Sequence, residues 1–542
     1  MKKYLLKLTS LFAFAALVVS CESGADEEKS NLLPIEGSTM AVYLDVNQLI
    51  EKSGIGPQLQ LLAAGVAGEF ENPKDGAFIS SIIQNLDNSG IKFSEPVYGI
   101  AKADNSGELS SMFLTARVTN ANNIDKLIEL VGRMSDTELE FEKDGDLRYM
   151  SIEGDGYLGY NSNKIALVLA RENSFDAFKS VLNGPDYDLS IFGNRDAAAY
   201  INVKQFIDMS GIMYSNIGSS LNEVYNSLAE DSALTFGLTF KPCAVTIDMQ
   251  AHNFQETIAP TSTTLDHLAL LPKGTVAVAD MGFDGTAITE IVKPMLTSDM
   301  ARIYGMTVND FNMIKNIILD AVGSLKGDIT LAITELNGYI DEIDSSYYDY
   351  YWDEWVYDSY ITMDLSTTNI ALIADTRNEY IISNLGMAAG NMLNTKGYNH
   401  YGLDFEGGKI DIKQDGDMLR ANYIVSTNSQ PVYSYGDVFE VRQNLSNARW
   451  IDDIKNSYTY ALVDIDALQK SDFGSSLMRY FRDNVEYPVS DIINDFVTMS
   501  SHVYFRHSQE GMELTWKFDD NGSHANALKM ISQLIFNYAM EF

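Results

Sequence analysis

Ala41-Val-Tyr-Leu-Asp-Val-Asn-Gln-Leu-Ile50 is followed by Lys52-Ser-Gly-Ile55, and the same order returns as Ala198-Ala-Tyr-Ile-Asn-Val-Lys-Gln-Phe-Ile207 followed by Met209-Ser-Gly-Ile212. A third copy reads Tyr460-Ala-Leu-Val-Asp-Ile-Asp-Ala-Leu468 with Lys470-Ser471, and a weaker fourth reads Val276-Ala-Val-Ala-Asp-Met281. Strand-prone residues halt at Asp45, Asn202 or Asp464, whose side-chain oxygen can accept from the free N–H groups of a helix start. Val46, Leu49 and Ile50 then recur at helical spacing, as do Val203, Phe206 and Ile207. The segment is therefore a strand handing over to a helix, and these acids and amides are expected to be caps, not catalysts. Gln48 and Gln205, three residues on, stand where a capping box would place them.

The spacing groups the copies in pairs. Asp45 and Asn202 lie 157 residues apart, Asp280 and Asp464 184 apart, and Leu33-Pro34 and Leu271-Pro272 open the two pairs. Hairpins turning near Asp144-Gly145, Lys241-Pro242, Asp415-Gly416 and Glu510-Gly511 predict antiparallel sheets. The expected fold class is α+β, in two related halves, each with antiparallel sheet modules covered by helices. The expected divisions are a signal peptide over 1–20, an acidic tether over 21–33, a first half over 34–265 and a second half over 266–542. A Pro/Thr-rich stretch, 256–264, marks the join. Leu528, Ile531, Leu534, Ile535 and Tyr538 have helical spacing, so the C-terminal segment does not alternate as the last strand of an outer-membrane barrel would.

The N-terminus carries Lys2, Lys3 and Lys7, an uncharged apolar run from Leu11 to Val19, and Ser20 before Cys21. That order is a secretory signal. Val18-Val-Ser-Cys21 resembles a bacterial lipobox, which implies acylation of Cys21 and cleavage before it. The apolar run is shorter than the roughly 20 residues needed to span a bilayer. The expected location is the outer membrane, held by lipid, and on the cell surface if the acidic stretch after Cys21 acts as an export signal. Cys243, the only other cysteine, is expected to be a small buried residue within a strand-like stretch.

Acids outnumber bases 75 to 38, a net charge of −37, which makes nucleic acid and anionic head groups poor partners. His252, His267, His400, His502, His507 and His524 form no zinc-protease pair, and no serine elbow, Walker loop or dinucleotide fingerprint occurs. No metal site and no cofactor are expected. The Asp/Asn-Gly clusters read as turns, since they lack calcium-loop spacing.

One segment departs from the repeat: Tyr339 to Tyr360, YIDEIDSSYYDYYWDEWVYDSY, with nine aromatics, seven acids and no base. The 27 residues by which the second module spacing exceeds the first place it as an insertion, an enlarged hairpin loop of the kind on which binding often sits. Tyr347, Tyr348, Tyr350, Tyr351, Trp352, Trp355 and Tyr357 are the candidate binding residues, for an envelope protein or a glycan. The competing reading has half of these rings packing on a sheet.

With lipobox and repeat taken together, the chain over residues 30–540 resembles outer-membrane lipoproteins of Bacteroidetes grouped under a domain of unknown function. The resemblance implies an envelope location and carries over no functional residue. The function expected is a non-catalytic binding or scaffold role at the outer membrane. The alternatives are a surface glycan-binding lipoprotein and an unrecognised hydrolase.

Overall fold

Strand β1 (Met40–Leu44) ends at Asp45, whose carboxylate accepts from Gln48 N at 3.0 Å and so starts helix α1 (Val46–Ser53). Asn202 Oδ1 takes Gln205 N and Asp464 Oδ1 takes Ala467 N, both at 3.0 Å, so all three predicted caps are caps. The capping box is not closed. Gln48 donates its amide to the Asp45 side chain, and Gln205 Oε1 accepts from Thr39. The Asp45 backbone N–H is already held by Asp196 O, leaving the glutamine nothing to reach back for. Gly54 ends α1 at φ +62, its N–H returning to Ile50 O and Glu51 O, a left-handed cap that suits glycine.

These features belong to a computed structural model, which describes residues 32–542 apart from 105–106, 135–139, 153–155, 211–224, 227, 255–260, 288, 290–292, 294–306, 345, 350, 353, 357–358, 383–392, 406, 426–438, 521, 523 and 540–542. The expected signal peptide, 1–20, and Cys21 lie outside the described residues. The chain divides into two compact units, 1–255 with 520–542, and 256–519.

In the first unit α1 leads into α2 (Gly56–Glu69) and α3 (Pro73–Gln84), then β2 (Val97–Ala103), β3 (Leu109–Arg117), α4 (Ala121–Met134), β4 (Glu142–Asp144), β5 (Leu147–Ile152), β6 (Gly156–Tyr160) and β7 (Lys164–Ala170). Helix α5 (Ser174–Asn183), β8 (Ala197–Asn202), α6 (Val203–Ser210), β9 (Ala233–Lys241) and β10 (Ala244–His252) follow. These strands pair antiparallel, in the order β10-β9-β8-β1-β2-β3-β7-β6-β5-β4. Tyr43, Tyr98, Ile100, Phe192 and Tyr200 form one core, and Phe178 and Leu182 of α5 close a second over Ala166 and Val168.

The second unit runs β11 (Ala277–Asp284), α7 (Val308–Ser324), β12 (Leu325–Asp344), β13 (Tyr347–Asp349), β14 (Glu354–Val356), β15 (Ser359–Thr376), β16 (Asn394–Gly397), β17 (His400–Phe405), β18 (Gly408–Asp415) and β19 (Met418–Val425). Then come α8 (Ile451–Ile454), β20 (Thr459–Asp464), α9 (Ile465–Lys470), α10 (Asp472–Asn484), α11 (Val489–Thr498), β21 (Ser500–Ser508) and β22 (Gly511–Phe518). Its antiparallel order is β22-β21-β20-β11-β12-β15-β19-β18-β17-β16. Counting each unit's sheet strands from its first, with the β13–β14 hairpin set aside, the two orders are the same. The fold is α+β with antiparallel sheets. Trp450, Ile454, Tyr460, Leu462 and Tyr504 centre the core of this unit.

Three local readings differ from the sequence expectation. Asp280 is buried within β11 instead of ending it; the strand runs on to Asp284, which accepts from Thr286 N at 3.0 Å. Cys243 is buried but sits in the β9–β10 turn at φ +50, its N–H donating to Ala525 O. The C-terminal helix α12 (Ala527–Ala539) belongs to the first unit, not to the second half, and packs on α1 and β9. A shared strand pattern marks each sheet, whereas a terminal helix can cover any apolar face within reach.

Candidate functional site

The insertion is a β-ribbon, not a loop. β12 and β15 remain paired from the sheet out to Asp344↔Ser359, and β13 and β14 form a further hairpin at the tip. Their counterparts in sheet order, β2 and β3, have 7 and 9 residues, against 20 and 18 here. In a pleated ribbon successive side chains take opposite faces, which sets Tyr339 and Ile340 on different sides. Register shifts between Ile333 and Glu335 and between Asn337 and Tyr339 mark where the ribbon leaves the sheet, as bulges do when they bend a strand.

The base and the tip of the ribbon have different environments. At the base Ile340 is buried against α10, with Ile340 N donating to Ser476 Oγ at 2.9 Å, while Tyr339 on the opposite face is exposed. At the tip Tyr347, Tyr351, Trp352 and Trp355 are 54, 85, 70 and 57% exposed. Asp349 Oδ1 accepts from the N–H groups of Tyr351 and Trp352 at 2.8 and 3.3 Å, fixing the turn. Tyr351 and Trp352 meet edge to face at 5.1 Å, as do Tyr348 and Trp355, directly opposed across β13–β14, at 5.6 Å. The structure thus gathers five of the seven candidate rings at one hairpin; Tyr350 and Tyr357 lie outside the described residues. Asp349 was not among the candidates, although Asp two residues before a ring pair is a recognisable turn signal.

Two buried polar arrays were not legible in the sequence. On β21 Ser501 Oγ lies 2.9 Å from His502 Nδ1, and His502 Nε2 lies 3.0 Å from Asp453 Oδ2. Burial raises the Asp453 pKa, but His502 and Lys517 outweigh it and hold the carboxyl below the usual range. The chain has the composition of a hydrolytic triad, yet Ser501 and His502 are 5 and 4% exposed, so the hydroxyl cannot meet a substrate as arranged. The second array joins Asp280, Asp328, Thr330, Tyr460 and His267. Asp328 Oδ2 accepts from Thr264 N and Oγ1, and His267 bridges Thr330 Oγ1 at 2.7 Å and Asp375 Oδ1 at 3.2 Å. Desolvation, with the Asp328 charge second, pushes Asp280 up to about 7. Asp280, Asp328, Thr330, His267 and Tyr460 are each 2% exposed or less, so the centre of the array is core polarity.

A cavity of about 60 Å³ lined by Asn369, Arg420, Asn422 and Phe439 has room for a few waters only. Among the described residues no three His, Cys, Asp or Glu side chains are grouped as metal ligands, and no helix is long and apolar enough to cross a membrane.

No protein-family model and no curated protein matches the chain. Solved structures similar to it include crystal form III of TP0453, 14% identical with a TM-score of 0.23 over 43% of this chain and 84% of that one. Crystal form IV of TP0453 is 11% identical with a TM-score of 0.20, over 73% of this chain and 94% of that one.

Proposed function

We propose that this chain is a lipid-anchored envelope protein that binds a partner through the tip of the 339–360 ribbon and performs no chemistry. The observation that carries the reading is the exposure of Tyr351, Trp352 and Trp355 on a hairpin stiffened by Asp349. Large rings held in place lose little freedom on binding, and Trp and Tyr dominate interface energetics. The lipobox at Val18 to Cys21 supports the anchor, at the outer membrane. The shared strand order of the two compact units, 1–255 with 520–542 and 256–519, supports their descent from one duplicated module, so that the ribbon is an addition to a frame complete without it.

The anchor is tested by metabolic lipid labelling, which Cys21→Ser should abolish; unchanged labelling would remove the lipoprotein reading. Protease shaving of intact cells distinguishes surface display, where the chain is cut, from a periplasm-facing tether, where it survives until lysis. A surface glycan-binding lipoprotein is the second reading, since exposed rings beside carboxylates can stack on sugars while accepting from hydroxyls. The hydrolase alternative rests on the buried Ser501–His502–Asp453 array, whose burial counts against it.

A further inference from the structure

The geometry points to a cationic protein surface, rich in Arg, as the partner of the ribbon tip; this rests on the binding role proposed above and specifies its chemistry. Between residues 339 and 360 stand seven carboxylates and no Lys, Arg or His. Like charges this close repel one another in the free protein, and a guanidinium brought among them relieves that repulsion. The rings provide the second half of the match. An edge-to-face pair leaves one ring face open, and the electron-rich face of an indole attracts a guanidinium above it. Trp352 and Trp355 are exposed, and each is already held by a tyrosine edge or face.

Asp349 is a positioning residue in this arrangement. Its carboxylate accepts from the Tyr351 and Trp352 N–H groups, so it orders the turn that carries the two rings. The net charge of −37 disfavours anionic surfaces of any kind, and a neutral sugar does not relieve the mutual repulsion of seven carboxylates.

The test measures binding of fluorescein-labelled nona-arginine and nona-lysine to the full-length protein at several salt concentrations. Trp352→Ala and Trp355→Ala leave the charge unchanged, so they separate ring recognition from bulk attraction to an acidic protein. Expected are tighter binding of nona-arginine than of nona-lysine and a loss of about tenfold in nona-arginine affinity when both rings are removed, with an unchanged melting temperature. Equal binding by wild type and the double variant would overturn the proposal, showing attraction to net charge alone. Salt-independent binding of neutral oligosaccharides that disappears with the rings, while nona-arginine binding does not change, would overturn it in favour of a glycan and leave the binding role standing. If replacing the tip changes neither ligand's binding nor the envelope proteins retained, the binding role falls with it.

Discussion

Asp280 is the residue at which burial and charge conflict most strongly. Its carboxyl faces Asp328, Thr330 and Tyr460 within β11, β12 and β20, and its pKa is raised from 3.8 to about 7. Between those values the folded protein keeps the proton and the unfolded chain releases it. This contribution is fully present below about pH 4 and is lost as pH rises through about 7, at roughly 1.4 kcal/mol per pH unit. Urea melts from pH 4 to 8 should therefore show a flatter stability profile for Asp280→Asn than for the wild type; an unchanged slope would assign the pH dependence to other groups. Asp464 provides a second residue-scale test. It caps α9 and also accepts from the buried Trp450 indole at 3.1 Å. Asp464→Ala should cost about 2–4 kcal/mol, the sum of a lost cap and an orphaned donor. Ser471→Ala, which removes the side-chain cap of α10, should cost about 1 kcal/mol. Equal losses in denaturant titration would mean that the indole bond contributes nothing. Asp45, Asn202 and Asp464 could be read as caps because capping is local; Asp280 could not, because how far a strand runs past an acid depends on its neighbours.

The ribbon is the element with the clearest division of labour. Its existence followed from counting residues between repeated segments, since an insertion lengthens a spacing whatever shape it takes. Its form did not, because whether a segment rich in Tyr and acid residues pairs with itself or hangs as a loop is decided by cross-strand register. Ile340 of β12 packs under α10 at the base, whereas Tyr347, Tyr351, Trp352 and Trp355 are exposed at the tip. Ile340→Ala should lower stability by about 2–4 kcal/mol through the cavity it leaves under α10. Trp352→Ala should change it by less than about 0.5 kcal/mol, as exposed substitutions do. A destabilising Trp352→Ala in thermal melts would place that ring in the packing instead. The Ser501–His502–Asp453 array had no legible signal: neighbours on a strand gave no hint that Asp453, from a separate helix, would meet the imidazole.

For the molecule as a whole, each of the two compact units carries an antiparallel sheet with the same strand order. The destination of α12 was not legible, because an amphipathic helix states that one face is covered without stating by what. Truncation after Asp519 should therefore lower hydrogen-exchange protection in α1, β9 and β10 and leave β20 to β22 protected; loss confined to the second unit would contradict the assignment. The central claim, that this frame carries a binding tip it does not need for folding, is tested most directly by replacing residues 345–358 with Asn-Gly. That link closes β12 onto β15 as a two-residue hairpin and retains Ile340 under α10. The account predicts a melting temperature within about 2 °C of the wild type together with loss of nona-arginine binding and of envelope partners. A protein that melts well below the wild type, or one that is as stable and binds as before, would contradict it.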